Sequence, residues 1–132
     1  MGTIEYLLDT HTLLWAVRGS KSLSDTAREI ILDTNSRIYV SAVSAYEIMN
    51  KYRIGKLQGF SDVANNYFDI LLKLGADELA INTSHTHFAG KFDWSHRDPF
   101  DRLLAAQAFT ENLTLITNDV AFDSLPWLTV LW

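Results

Sequence analysis

Short apolar runs alternate with longer amphipathic segments along this chain. The apolar runs, bounded by polar or turn-forming residues, predict strands at residues 4–8, 37–41, 78–81, 113–117 and 128–131. Between these runs, apolar residues recur three and four positions apart, which is typical of helices with one buried face. Strands that alternate with helices favour a parallel sheet covered on both faces. We therefore expect an α/β fold, a three-layer α/β/α sandwich around a central, mainly parallel sheet of four or five strands.

Several helix ends are predicted by residues that commonly cap helices. Gly19 should end a short first helix, and Gly75 should end a helix over residues 62–74, because glycine readily adopts the left-handed conformation found after helices. Ser44 and Glu47 form an S-x-x-E pattern, in which a serine caps a helix and a glutamate three residues later completes the capping box. Residues 44–47 are therefore predicted to begin a helix.

The segment 98–108 opens with two carboxylates and then becomes apolar. Asp98 is placed to cap a helix, with Pro99 at the first helical position, where its missing N–H costs nothing. Asp101 has two interpretations. It favours the positive end of the helix dipole, or it faces inward on the stripe formed by Leu104, Ala105 and Ala108. An inward carboxylate would require a partner, which would make Asp101 a functional residue.

Four acidic residues follow the predicted strands. They are Asp9 after the first strand, Glu47 in the helix after the second, Asp101 in the helix reached after the third, and Asp119 after the fourth. Right-handed crossovers place all these turns at the carboxyl edge of the sheet, where open α/β sheets bind ligands. Each acid alone also fits a capping role. Together, carboxylates near one point repel, so at neutral pH they must protonate or bind a cation.

The chemistry of this acidic set points to a metal-dependent hydrolase. Hard oxygen ligands select Mg²⁺ or Mn²⁺ over soft metals. A cation held in this way can polarise a phosphate, lower the pKa of a bound water and place that water for attack on phosphorus. The acids therefore predict hydrolysis of a phosphodiester bond.

Composition and charge further limit the number of domains, the compartment and the possible partners. The 132 residues, 48% of them hydrophobic, suit one compact domain over residues 1–132. The absence of cysteine excludes disulfides and thiolate metal sites. The chain has no basic leader and no apolar stretch long enough for a bilayer, so we predict a cytoplasmic protein without membrane contact. The net charge of −5 argues against a broad basic face, although bound cations would change the local charge.

Four short motifs occur in a recognisable order and spacing. They are Leu-Leu-Asp-Thr at 7–10, the serine and glutamate pattern at 41–47, the Asp-Pro-Phe-Asp-Arg helix start at 98–102, and Leu-Ile-Thr-Asn-Asp at 115–119. In these motifs the chain resembles the PIN domain and, more narrowly, the VapC-type toxins of bacterial and archaeal type II toxin–antitoxin pairs. The resemblance extends from about residue 4 to the C-terminus.

The resemblance implies an Mg²⁺- or Mn²⁺-dependent endoribonuclease with RNA as substrate, a small antitoxin protein as partner, and a homodimer. The acidic metal-site positions of the family correspond to Asp9, Glu47, Asp101 and Asp119. The polar positions that support this site correspond to Thr10, Ser44 and Thr117, together with Asp98, which we interpret as a cap or a supporting acid. The last motif departs from the more usual Thr-Arg-Asp by having Asn118.

Basic side chains near the acids are candidates for RNA contacts. They are Lys51, Arg53, Lys56, Arg97 and Arg102. Each also fits a solvated surface charge, and His96 could contact a phosphate or brace a carboxylate.

Other classes of protein fit the sequence less well. A phosphatase of the haloacid dehalogenase type requires Asp-x-Asp, but His11 stands two places after Asp9. A receiver-like domain requires a lysine after the last strand, and no lysine follows Leu128. A housekeeping RNA-processing PIN nuclease would share the whole site, whereas a PIN-fold binding module would need no complete acid set. The presence of all four acids argues against the binding module, and the small size of the chain favours a toxin over the housekeeping nuclease.

Overall fold

Residues 3–132, which the computed structural model describes, form five strands and seven α-helices in alternating order. The strands are β1 (Glu5–Leu8), β2 (Arg37–Ser41), β3 (Ala76–Leu79), β4 (Thr114–Ile116) and β5 (Val130–Leu131). The helices are α1 (Thr10–Arg18), α2 (Asp25–Leu32), α3 (Ala42–Arg53), α4 (Ser61–Asn65), α5 (Tyr67–Leu74), α6 (Thr83–Lys91) and α7 (Pro99–Thr110), followed by a 3-10 helix at Val120–Ser124. Within the described residues, no helix combines the length and apolar character that crossing a membrane requires.

The strands form one parallel sheet in the order β3-β2-β1-β4-β5. Strand β1 lies at the centre, paired with β2 on one side and β4 on the other. The chain first builds the sheet outward from β1 in one direction and later returns to its other side. The carboxyl end of β1 is therefore the point at which ligands bind in open α/β sheets.

Alternate residues of the strands face two separate apolar cores. Leu8 and Ile116 belong to a core completed by side chains of α1, α2, α3, α4 and α5. Leu7 and Leu115 belong to a second core on the opposite face, completed mainly by α7 and the 3-10 helix. The sheet is thus covered on both sides, which confirms the predicted three-layer α/β/α arrangement.

Most predicted helix ends are confirmed. Gly19 and Gly75 follow α1 and α5 in the left-handed conformation, with φ of 60° and 73°. Asp98 caps α7 by accepting a hydrogen bond of 2.9 Å from the amide of Phe100, and Pro99 opens the helix. The caps were predictable because they depend on residues adjacent in sequence.

Two predictions about helices were wrong. The predicted helix over residues 62–74 is two helices, α4 and α5, separated at Asn66, whose φ of −129° is not helical. The S-x-x-E capping box does not form, because β2 passes directly into α3 and Ser41 caps it by accepting from Val43 N at 3.0 Å. Ser44 and Glu47 therefore lie inside the helix and are available for contacts elsewhere.

Candidate functional site

A cleft of about 200 Å³ at the carboxyl edge of the sheet brings the four predicted acids together. Asp9 follows β1, Glu47 projects from α3, Asp101 from the first turn of α7, and Asp119 follows β4. The cleft is lined by these acids and by Thr10, His11, Lys51, His96 and Asp98. The topology thus collects residues from four distant parts of the sequence.

Asp9 is both a helix cap and a member of this cleft. One carboxylate oxygen, Oδ1, accepts a hydrogen bond of 2.7 Å from the amide of Thr12 and so caps α1. The other, Oδ2, accepts from the hydroxyl of Thr117, which follows β4. The side chain is buried, so both hydrogen bonds contribute to holding the charge at the centre of the sheet edge.

Glu47 accepts hydrogen bonds from two side chains, one to each carboxylate oxygen. Thr10 Oγ1 donates to Glu47 Oε1 at 2.7 Å and also lies 2.9 Å from Ser44 Oγ. Lys51 Nζ donates to Glu47 Oε2 at 2.7 Å from the next turn of α3. Thr10 and Ser44 were predicted as supporting residues, and they lie where they can position this carboxylate. The pairing with Lys51 was not predicted.

Asp101 is the acid most perturbed by its surroundings. Burial raises the pKa of its carboxyl from 3.8 to about 6, and the charges of Asp98 and Asp119 add to that rise, while the hydrogen bond from His96 opposes it. His96 Nε2 lies 2.6 Å from Asp101 Oδ2. This position supports the inward interpretation of Asp101, because the carboxylate points into the cleft and finds a partner there.

Asp119 and Asp98 lie at the margin of the cleft and also act as caps. Asp119 Oδ1 accepts from the amide of Ala121 at 3.0 Å, and its own amide donates to Thr117 Oγ1 at 3.0 Å. Asp98 Oδ1 accepts from the first amides of α7. Capping and membership of the site are therefore not alternatives for these acids, since each lines the cleft while its Oδ1 caps a helix.

The potential ligand atoms in the cleft are of the kind that binds a divalent cation. Carboxylate oxygens dominate the cleft, and Mg²⁺ and Mn²⁺ bind through such ligands. Among residues 3–132, one group of metal-ligating side chains has all its ligand atoms within 4.8 Å of one another, namely His96, Asp98 and Asp101. The sequence predicted His96 only as a phosphate contact or a brace for a carboxylate, and not as a member of a group of metal-ligating side chains.

The predicted RNA-contacting residues are placed differently from one another. Lys51 lies in the cleft, whereas Arg53, Lys56 and Arg97 are exposed outside it. Arg102 does not face the cleft. Its guanidinium donates to carbonyl oxygens of Ala89 at 2.9 Å, Phe92, and Trp94 at 3.3 Å, and it stacks on the Phe92 ring. Arg102 thus supplies hydrogen-bond donors to carbonyl groups in the last turn of α6 and in the loop after it.

Comparison with known proteins identifies the family. The family model for the PIN domain matches residues 6–128, so the chain belongs to the PIN domain family. A search of curated protein sequences finds no match.

Similar folds occur in solved structures of toxin–antitoxin proteins. VapBC2 from Rickettsia felis, bound to a DNA fragment from its promoter, is 20% identical with a TM-score of 0.71, and the match covers 97% of this chain and 98% of that one. VapBC-1 from nontypeable Haemophilus influenzae is 22% identical with a TM-score of 0.66, covering 97% of both chains. A toxin–antitoxin complex from Klebsiella pneumoniae is 16% identical with a TM-score of 0.66, also covering 97% of both chains. These similarities extend over nearly the whole fold.

Proposed function

We propose that the protein is a metal-dependent endoribonuclease that hydrolyses RNA phosphodiester bonds and serves as the toxin of a type II toxin–antitoxin pair. The observation that carries the proposal is the cleft in which Asp9, Glu47, Asp101 and Asp119 converge in a PIN-domain chain. PIN domains are generally nucleases, and all four acidic positions are occupied here. A complete set of acids argues against a PIN-fold module that only binds.

In this proposal the four carboxylates hold Mg²⁺ or Mn²⁺. A bound cation of this kind polarises a phosphate and makes its bound water more acidic. The chain's own contribution is to hold the charged oxygens in place. Thr10 orients Glu47, and Thr117 orients Asp9, each by a hydrogen bond to a carboxylate oxygen. Ser44 supports Thr10, and Asp98 orders the first turn of α7, which presents Asp101.

RNA would be contacted by basic side chains, one inside the cleft and three outside it. Lys51 lies in the cleft, and Arg53, Lys56 and Arg97 are exposed side chains that could follow a phosphate backbone without being buried. We leave Arg102 out of this set, because its donors are committed to backbone carbonyls. The strongly acidic cleft and a phosphate repel each other, so we expect RNA binding to depend on the divalent cation.

The proposed partners follow from the relatives. Structures with similar folds are described as VapBC proteins and as a toxin–antitoxin complex, which supports a small antitoxin partner for this chain. Exposed apolar side chains, including Leu32, Phe68 and Leu72 on α2 and α5, give a partner a surface to cover. A homodimer, a single domain over residues 1–132 and a cytoplasmic location stay predictions from the sequence.

Cleavage of RNA by the purified protein tests the enzymatic proposal. We expect cleavage with Mg²⁺ or Mn²⁺, none with a chelator, and a loss of at least about 100-fold in Asp9→Asn and Asp101→Asn. Asparagine keeps the shape of both side chains and can still cap α1 at position 9, so circular dichroism should be unchanged. Asp69→Asn, an exposed acid on α5, is the matched control. Cleavage by both site variants at the wild-type rate would refute the proposal.

A second experiment tests the biological role. Induced expression of the active protein should arrest growth, and co-expression of a small protein encoded next to it should restore growth. An active nuclease that leaves growth unaffected would instead support the housekeeping alternative.

A further inference from the structure

The imidazole of His96 lies among the carboxylates of the cleft with a ring nitrogen directed at one of them. Nε2 is 2.6 Å from Asp101 Oδ2, and the ligand atoms of His96, Asp98 and Asp101 all lie within 4.8 Å of one another. Asp9, Glu47 and Asp119 line the same cleft but are not within this spacing. The tightest group of potential ligands therefore includes one nitrogen donor and two carboxylates.

The 2.6 Å contact is a hydrogen bond, so a cation bound by both side chains would replace the proton between them. Two neighbouring ligand atoms on an octahedral ion with bonds of about 2.1 Å lie about 3 Å apart. The 2.6 Å between His96 Nε2 and Asp101 Oδ2 needs to lengthen only slightly to reach that separation.

Arg102 and Trp94 hold the loop that carries His96 in place. The guanidinium of Arg102 donates to the carbonyls of Ala89, Phe92 and Trp94, and its Nη1 lies 3.5 Å from the carbonyl of His96. The indole of Trp94 packs on the imidazole, with ring centroids 4.7 Å apart. The imidazole is thus positioned before a metal ion binds, as a preorganised metal site requires.

We infer that His96 is a nitrogen ligand of the metal centre, beside Asp101, and that it gives the cleft a preference for a first-row transition-metal ion such as Mn²⁺ over Mg²⁺. The inference rests on the proposed metal centre and names the ion that this centre selects. Mg²⁺ binds through carboxylates and keeps several waters, whereas imidazole favours transition metals. An all-carboxylate site would lack this source of selectivity.

Mn²⁺ alone, added to the full-length chain, is the probe for this ligand, because pulsed electron paramagnetic resonance detects a nitrogen bound directly to Mn²⁺. We expect nitrogen modulation in the wild-type complex and none in His96→Gln. Glutamine can still donate a hydrogen bond to Asp101 but offers no imidazole nitrogen. His11→Gln is the matched control, since His11 lines the same cleft and its loss should leave the modulation intact.

Calorimetry with each ion provides the second measurement. His96→Gln should weaken Mn²⁺ binding about tenfold and Mg²⁺ binding by less than about twofold. Equal weakening of both ions, or nitrogen modulation that persists in His96→Gln, would overturn the inference and leave His96 as a hydrogen-bonding brace for Asp101. If wild-type protein binds neither ion, the proposed metal centre itself fails. Because no RNA is present, these outcomes are independent of the ribonuclease assay.

Discussion

Lys51 Nζ lies 2.7 Å from Glu47 Oε2, one turn further along α3, and both side chains line the acidic cleft. The Lys51 ammonium therefore forms an ion pair with a carboxylate that we propose as a metal ligand. A divalent cation that approaches Glu47 meets the positive charge of Lys51, so the two cations compete for the same oxygen.

Removing this ammonium should strengthen metal binding. We predict that Lys51→Met increases the affinity for Mg²⁺ about fivefold, which corresponds to about 1 kcal/mol, the usual size of an accessible ion pair. Isothermal titration calorimetry measures the change. Arg53→Met, two positions along the same helix but outside the cleft, should leave the affinity unchanged. Weaker binding in Lys51→Met would show that the lysine assists the metal centre.

The carboxylate of Asp101 should reduce the stability of the fold at neutral pH. Its pKa is about 6 in the folded chain against an ordinary value of 3.8, so the folded state retains the proton to higher pH than the unfolded state. Stability therefore falls as pH rises from about 4 to about 6, and the loss persists above that range.

Asp101→Asn should remove this dependence. Without divalent cations, we expect the melting temperature of the variant to exceed that of the wild type by a few degrees at pH 7.5, or about 1 kcal/mol, and by less at pH 4.5. Differential scanning calorimetry at both pH values makes the comparison. A difference that is the same at both values would contradict the prediction.

The ion pair between Arg18 and Asp62 should make a small, pH-dependent contribution to stability in acid, because both side chains are accessible to solvent. Arg18 Nη1 and Nη2 donate to the two oxygens of Asp62 at 2.8 and 2.6 Å, which joins the end of α1 to α4. These hydrogen bonds lower the pKa of Asp62 from 3.8 to about 2. The stabilisation is thus complete above about pH 4 and is lost as pH falls toward 2.

Carboxyl carbon NMR can test this pairing directly. In Arg18→Gln the titration of Asp62 should move upward toward 3.8, whereas in Arg53→Gln it should stay near 2. An unchanged titration in Arg18→Gln would mean that the surrounding backbone amides, and not the guanidinium, stabilise the carboxylate.

Replacing Arg102 should loosen the loop before α7. Lysine keeps the charge but cannot donate from a planar fork to several carbonyls at once, so we expect Arg102→Lys to cost about 1–3 kcal/mol. Hydrogen exchange of residues 92–97 should accelerate in the variant. Arg97→Lys, in the same loop but exposed, provides the control. Unchanged protection of this loop would show that the aromatic contacts hold it without the arginine.

Much of the fold was predictable because its determinants are local. Strand β2 was predicted with its observed bounds, since its apolar side chains and flanking polar residues are adjacent in sequence. The ends at Gly19 and Gly75 follow from the conformational freedom of glycine. The capping box at Ser44 failed, because a nearby strand end supplied a better cap at Ser41.

The four acids of the cleft were predictable from the sequence, but their contacts were not. Alternation of strands and helices is enough to bring Asp9, Glu47, Asp101 and Asp119 to one edge, because crossover handedness is nearly invariant. The pattern does not specify which donors those carboxylates receive. The ion pair between Lys51 and Glu47 depends on side-chain directions, and so does the hydrogen bond between His96 and Asp101.

The sequence by itself determined the class of fold, the helix caps and the edge of the sheet at which the acids meet, because periodicity, capping and chain handedness act over short stretches. Only the tertiary structure decided which hydrogen-bond donors each carboxylate receives and that Arg102 supports the His96 loop instead of facing the cleft. Packing at the sheet edge brings together groups that are far apart in the chain. The burial and hydrogen bonds of these groups determine the protonation and the position of each side chain, and local sequence does not specify them.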